Sequence, residues 1–181
     1  WLGIGPGRAS VAEPVWRVVE LVRVPRLLIG AFVGAGLALC GATLQGVFRN
    51  PLVDPHVIGV SSGAAFGGVT AILLGLGAIA LWSLAFTAGL GALLLVVMMS
   101  RRAGRSSVLM LVLSGVVVSA LFSALVSLAT YFADPNDTLP AIVFWLMGSF
   151  ASATPERALY MLPIIIVFAV PLLLMRFRIN I

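Results

Sequence analysis

The chain has 181 residues, of which 61% are hydrophobic and only 9% charged, where a soluble domain carries about 25% charged residues. No water-soluble globule hides that much apolar surface, so the composition predicts an all-α, polytopic membrane bundle. The net charge is +5, but every basic residue is an arginine placed between apolar runs rather than interleaved with aromatics, which argues for a bilayer and against nucleic acid as the partner.

The chain opens at Trp1 with neither an initiator Met nor a basic segment before an apolar stretch, so a start inside a longer protein is expected. Residues 1–26 read as a polar arm, with Arg8, Arg17, Arg23 and Arg26 set against Glu13 and Glu20. Residues 27–181 read as the membrane domain. A helix needs about 20 residues to cross a hydrocarbon core, and five stretches qualify: 27–48, 57–77, 78–100, 108–133 and 158–175. In the first, Gly30, Gly34, Ala38 and Gly41 form a small-residue stripe; in the second, Gly59, Gly63, Gly67, Ala71 and Gly75 form another. Such stripes let helix backbones approach closely in a membrane. Cys40 lies in the first run as a small packing residue.

Between these two runs, Arg49-Asn-Pro-Leu-Val-Asp-Pro-His56 is polar and twice broken by proline, so it cannot be lipid-exposed helix. Arg101, Arg102 and Arg105 follow the third run, and Asp134, Asn136 and Asp137 follow the fourth. Arginine-rich loops stay cytoplasmic, so the third linker is expected inside and the acidic one outside. Alternation then puts residues 1–26 outside, against the arginine count: either a preceding helix carries the arm out or the whole orientation is reversed, and the agreement of the three internal arginine clusters favours a periplasmic arm.

In the fourth run Gly115, Ser119, Ser123 and Ser127 recur every four residues, a small polar face that either lines a wet path or hydrogen-bonds neighbouring helices. Residues 141–150 are too short to cross and read as an interfacial or re-entrant helix carrying Trp145. The chain ends directly after an apolar run, at Arg176-Phe-Arg-Ile-Asn-Ile181, which predicts continuation beyond residue 181.

No catalytic constellation is present. There is no lysine for a phosphate-binding loop, no HExxH, and a single histidine, His56, without a second His or Cys near it to share a metal. No cofactor is expected. Residues 57–133 contain no Asp, Glu or His, whereas ion-coupled carriers usually keep such groups within their spans. A transporter built this way takes its energy from a separate ATP-hydrolysing subunit. An ion-coupled secondary carrier or a channel is the alternative, and a membrane enzyme a weaker one.

The motifs then converge. Arg23-Val-Pro-Arg26, Gly34-Ala-Gly-Leu-Ala38, Gly41-Ala-Thr-Leu-Gln45-Gly46, Arg49-Asn-Pro-Leu-Val-Asp-Pro55, Gly59-Val-Ser-Ser-Gly-Ala-Ala65, Leu113-Ser-Gly115 and Phe144-Trp-Leu-Met-Gly-Ser149 occur in one order. This run resembles the FecCD-type permeases of ABC importers for iron-siderophore complexes, haem and vitamin B12. The resemblance covers Arg23 to the end and implies a ten-helix, inner-membrane subunit that pairs as a homodimer, with an ATPase beneath each copy and a periplasmic binding protein above. The five spans would match helices two to six of such a subunit. By the same resemblance, Arg23 and Arg26 match positions that dock acidic residues of the binding protein, headgroup anchoring being the other reading. Asn50, Leu52, Ser106 and Ser107 match segments that narrow the cytoplasmic end of the path, a purely structural cap being the other reading for the loop. The cargo implied is iron chelate, haem or cobalamin.

Overall fold

In the computed structural model, which describes residues 15–51, 53–102, 108–151 and 153–179, the first helix is shaped by Pro25. Proline has no N–H to give the carbonyl four residues back, and its ring crowds that carbonyl. The ladder widens accordingly into a π-helical turn over Val19–Arg23, closed by Val24 N–H donating to the Val19 carbonyl. The α-helix proper, α1 (Val24–Phe48), continues from that turn. The continuous helix Val15–Phe48 is 34 residues long, about 51 Å at 1.5 Å per residue. It exceeds a hydrocarbon core of about 30 Å, so its first turns, with Arg17, Glu20, Arg23 and Arg26, have length to project beyond the core. The boundary expected at residue 26 therefore falls within one helix.

Five more helices follow: α2 (Val60–Leu73), α3 (Ala78–Arg102), α4 (Val108–Tyr131), α5 (Thr138–Met147) and α6 (Pro155–Ile179). Among the described residues, four helices are long and apolar enough to cross a membrane: Val15–Phe48, Ala78–Arg101, Leu109–Tyr131 and Pro155–Met175. The stretch 57–77, expected as the second of five spans, holds a helix shorter than expected. It divides into a 3-10 turn over Pro55–Ile58 and the 14 residues of α2, about 21 Å of helix. Glycines cut it at both ends. Gly59 precedes α2 at φ 79° and Gly75 follows it at φ 63°. At the second end Gly75 N–H donates to the Ile72 carbonyl and Leu76 N–H to the Ala71 carbonyl, both at 3.0 Å, the paired bonds of a Schellman cap. Gly75, expected as the last member of a packing stripe, is a helix stop.

The chain divides into two compact units, one of residues 1–43 with 150–181, the other of residues 44–149. In the second unit α2 lies along α3 and also touches α4 and α5. Ile58, Ala92, Val96 and Val118 form one buried cluster; Val69, Ala133 and Ile142 form another, on which Trp145 packs. α5 starts from a turn organised by Asp134, whose Oδ1 accepts the N–H groups of Asn136 at 2.8 Å and Asp137 at 3.3 Å. In the first unit Thr154 caps α6, its Oγ1 accepting Arg157 N–H at 3.3 Å. Pro155 occupies the first turn, where a missing N–H costs nothing, and Pro163 and Pro171 lie inside the helix.

Candidate functional site

Two regions carry the residues singled out in the sequence: the α1–α2 connection with the small face of α4, and the paired arginines at the start of α1.

The connection is built from its backbone. At the end of α1, Arg49 N–H donates to the Gly46 carbonyl at 3.3 Å and Asn50 N–H to the Gln45 carbonyl at 3.2 Å. This is again a Schellman cap, but with Arg49 at φ 48° where glycine is usual. A left-handed conformation at a residue with a Cβ costs roughly 1–2 kcal/mol, which the two cap bonds and the Gln45 Nε2 donation to the Pro51 carbonyl at 3.0 Å offset. Asn50 is half-buried, and its carbonyl accepts Val53 N–H at 3.3 Å. Asp54 then accepts His56 N–H at 2.7 Å and starts the Pro55–Ile58 turn. His56 is exposed, with Nδ1 3.5 Å from Ser61 Oγ. This loop is a bonded, structured bend throughout its described residues. Of the other residues expected at the inner constriction, Leu52, Ser106 and Ser107 lie outside the described residues.

The Pro55–Ile58 turn packs on α4. A Cβ at Gly59 would come 3.2 Å from Ser119 Oγ and 3.3 Å from the Gly115 carbonyl, so this glycine is fixed both by its φ and by the close approach. Gly115 is buried and Ser119 half-buried, whereas Ser123 and Ser127 are exposed. The progression follows from helix geometry, because a four-residue step advances about 400° and the stripe precesses by about 40° each time. Its first members lie under the Gly59 turn and its last have rotated out, Ser127 Oγ donating to the Ser123 carbonyl at 3.0 Å.

Gly63 and Gly67 face α3. A Cβ at Gly63 would stand 2.6 Å from Ala92 Cβ and 2.7 Å from the Ala88 carbonyl, and one at Gly67 would overlap the Leu84 carbonyl. Gly30 and Gly34 have nothing within 4 Å. A contact absent from the sequence reading is Gly68, where an added Cβ would overlap the indole of Trp145 on α5. Trp82 meets the same indole edge-to-face, with centroids 5.7 Å apart. Gly68 adjoins a residue of the small stripe but points to a different neighbour, which spacing alone does not separate.

Arg23 and Arg26 are both exposed, three residues apart, with Pro25 and Ile29 buried beside them. Arg26 Nη2 donates to the Ala151 carbonyl at 3.5 Å. Among the described residues, no three of His, Cys, Asp and Glu are grouped to hold a metal ion.

Residues 8–181 match the model of the FecCD transport family. The chain is 48% identical to the molybdate import system permease MolB of Haemophilus influenzae, covering 99% of this chain and 58% of that protein. It is 40% identical to the vitamin B12 import permease BtuC of Citrobacter koseri, over 91% of this chain and 49% of that one. It is 42% identical to an iron chelatin transport permease of Helicobacter pylori, over 90% and 49%. A solved inward-facing structure of a metal-chelate type ABC transporter superposes with a TM-score of 0.84 at 48% identity, covering 99% of this chain and 58% of that chain. The chain thus spans about half the length of the curated relatives it matches. With the motif run, the helical architecture and these matches in agreement, the chain belongs to the FecCD transport family.

Proposed function

We propose that this chain is the N-terminal part of a permease subunit of a binding-protein-dependent ABC importer in the inner membrane. The subunit acts as a homodimer, and a separate ATPase subunit supplies the energy. The observation that carries the reading is the family match over residues 8–181 together with 48% identity to a named import permease. The membrane-spanning helices supply the path, and the absence of Asp, Glu and His from residues 57–133 fits energy supplied from outside the bilayer rather than by a bound driving ion. The subunit itself catalyses no reaction.

On this reading the Arg49–His56 bend, Asn50 included, forms part of the cytoplasmic constriction. The Gly115–Ser119 end of α4 buttresses it, and Ser123 and Ser127 lead towards the path. Arg23 and Arg26 face the periplasm. Guanidinium forks pair bidentately with carboxylates and give both orientation and a salt-sensitive on-rate, which suits them to dock acidic residues of a binding protein.

Molybdate is the cargo favoured by the relatives: the one named for it is 48% identical, against 42% and 40% for those named for iron chelatin and vitamin B12. The iron chelate, haem or cobalamin expected from the motifs is the second reading. ATP-dependent uptake by the full-length permease, reconstituted in liposomes with its ATPase and binding protein, separates them. Molybdate accumulation supports the first; accumulation of a ferric siderophore, haem or cobalamin instead supports the second; uptake driven by an ion gradient without ATP contradicts both.

A further inference from the structure

We infer that the inner bend and the inner part of α4 travel as one piece, with Gly59 and Ser119 as the positioning pair that sets where the bend stands against that helix. This rests on the constriction reading above and adds to it which element carries the bend.

Bend and helix belong to the same compact unit, residues 44–149. The bend enters α2 through the Pro55–Ile58 turn, and that turn packs on α4. The contact is buried from both sides. Ile58 is 5% exposed and Val118 2%, and they share one cluster with Ala92 and Val96 of α3, both fully buried. Beside the cluster the backbone itself is seated. Gly59 is buried and left-handed at φ 79°, and a Cβ there would stand 3.2 Å from Ser119 Oγ, 3.3 Å from the Gly115 carbonyl and 3.4 Å from Val118 Cγ1. Three atoms from little more than one turn of α4 therefore close around a single Cα. An interior packed at crystal-like density resists sliding, and parting the turn from α4 would leave Ile58 and Val118 without their contacts on one side. The outer part of the same helix carries the exposed Ser123 and Ser127. Residues 108–131 contain no proline, so no interruption of the hydrogen-bond ladder by a missing N–H separates the two parts. A displacement of the face that leads to the path is thus handed on to the bend. Ser119, half-buried at the border between seat and open face, fixes by its size how closely the bend approaches.

The test uses a cysteine-free background of the full-length permease, assembled with its ATPase and binding protein in proteoliposomes. An Ile58→Cys/Val118→Cys pair, oxidised to a disulfide, fastens the turn to α4. Stimulation of ATP hydrolysis by the binding protein is expected to be the same oxidised as reduced. A loss on oxidation that a reductant restores overturns the inference, because the bend then has to part from α4 during the cycle; failure of the pair to oxidise overturns it as well. A spin label on the exposed His56→Cys, one in each copy, reads the second half of the claim as the distance between copies. Ser119→Leu is expected to shift that distance in the nucleotide-free state and Ser119→Ala to leave it unchanged. Superposable distance distributions for all three remove Ser119 as a positioning residue. The same label keeps the two ideas apart. A distance that does not change when ATP binds to a hydrolysis-deficient ATPase sinks the constriction reading, whereas a distance that changes while the disulfide stops hydrolysis sinks the one-piece inference alone.

Discussion

At the residue scale, single glycines act here through three different physical effects. Gly68 is a notch for an indole. Replacing it with Ala forces Trp145 to move, and overpacking of this kind costs typically 1–3 kcal/mol, so Gly68→Ala is expected to lower the detergent-solubilised melting temperature while Gly30→Ala, in open space, leaves it unchanged. Gly75 is a left-handed stop, and Gly75→Val is expected to destabilise by about 1–2 kcal/mol in the same thermal measurement, although no neighbour lies within 4 Å of the added Cβ. Gly63 and Gly67 instead buy close backbone approach between α2 and α3. These roles share one letter, which is why the sequence supports a stripe of small residues but not their division into stops, notches and contacts. The Gly-Leu-Gly run over residues 75–77 was the available sign that α2 ends early.

Elements show what the apolar runs leave unspecified. Length and hydropathy delimit the long helices well, because crossing a bilayer demands about 20 residues. They do not distinguish a 14-residue helix with polar turns from a full span when both are apolar. The π-turn in the first helix has a legible cause, Pro25, but its consequence is geometric. Restoring an ordinary ladder with Pro25→Ala removes one residue's worth of insertion, which rotates the preceding turns by about 100° relative to those that follow. Binding-protein stimulation of ATP hydrolysis is expected to fall in that variant while assembly with the ATPase persists, and retained full stimulation would show that the π-turn has no part in docking. At the other end of the second unit, α5 is held by Ile142 and Trp145. A double-mutant cycle on Trp82→Ala and Trp145→Ala is expected to give a coupling of about 0.5–1.5 kcal/mol, as aromatic pairs do, and additive effects would contradict the edge-to-face contact.

For the whole molecule, the family was readable from the ordered motifs between Arg23 and Ser149, since glycines, prolines and arginines at membrane-helix ends are constrained by backbone and charge rather than by cargo. Cargo was not readable in the same way: the motifs suggested iron chelate, haem or cobalamin, and a molybdate permease is among the relatives. On the proposed function, the parent permease belongs to an ATP-driven importer whose outer face receives a binding protein at Arg23 and Arg26. The most direct test is ATP hydrolysis by the full-length permease with its ATPase and binding protein in proteoliposomes, comparing wild type with Arg23→Glu/Arg26→Glu. Charge reversal is expected to abolish stimulation by the binding protein while basal hydrolysis persists; stimulation undiminished by the reversal would contradict docking at these arginines.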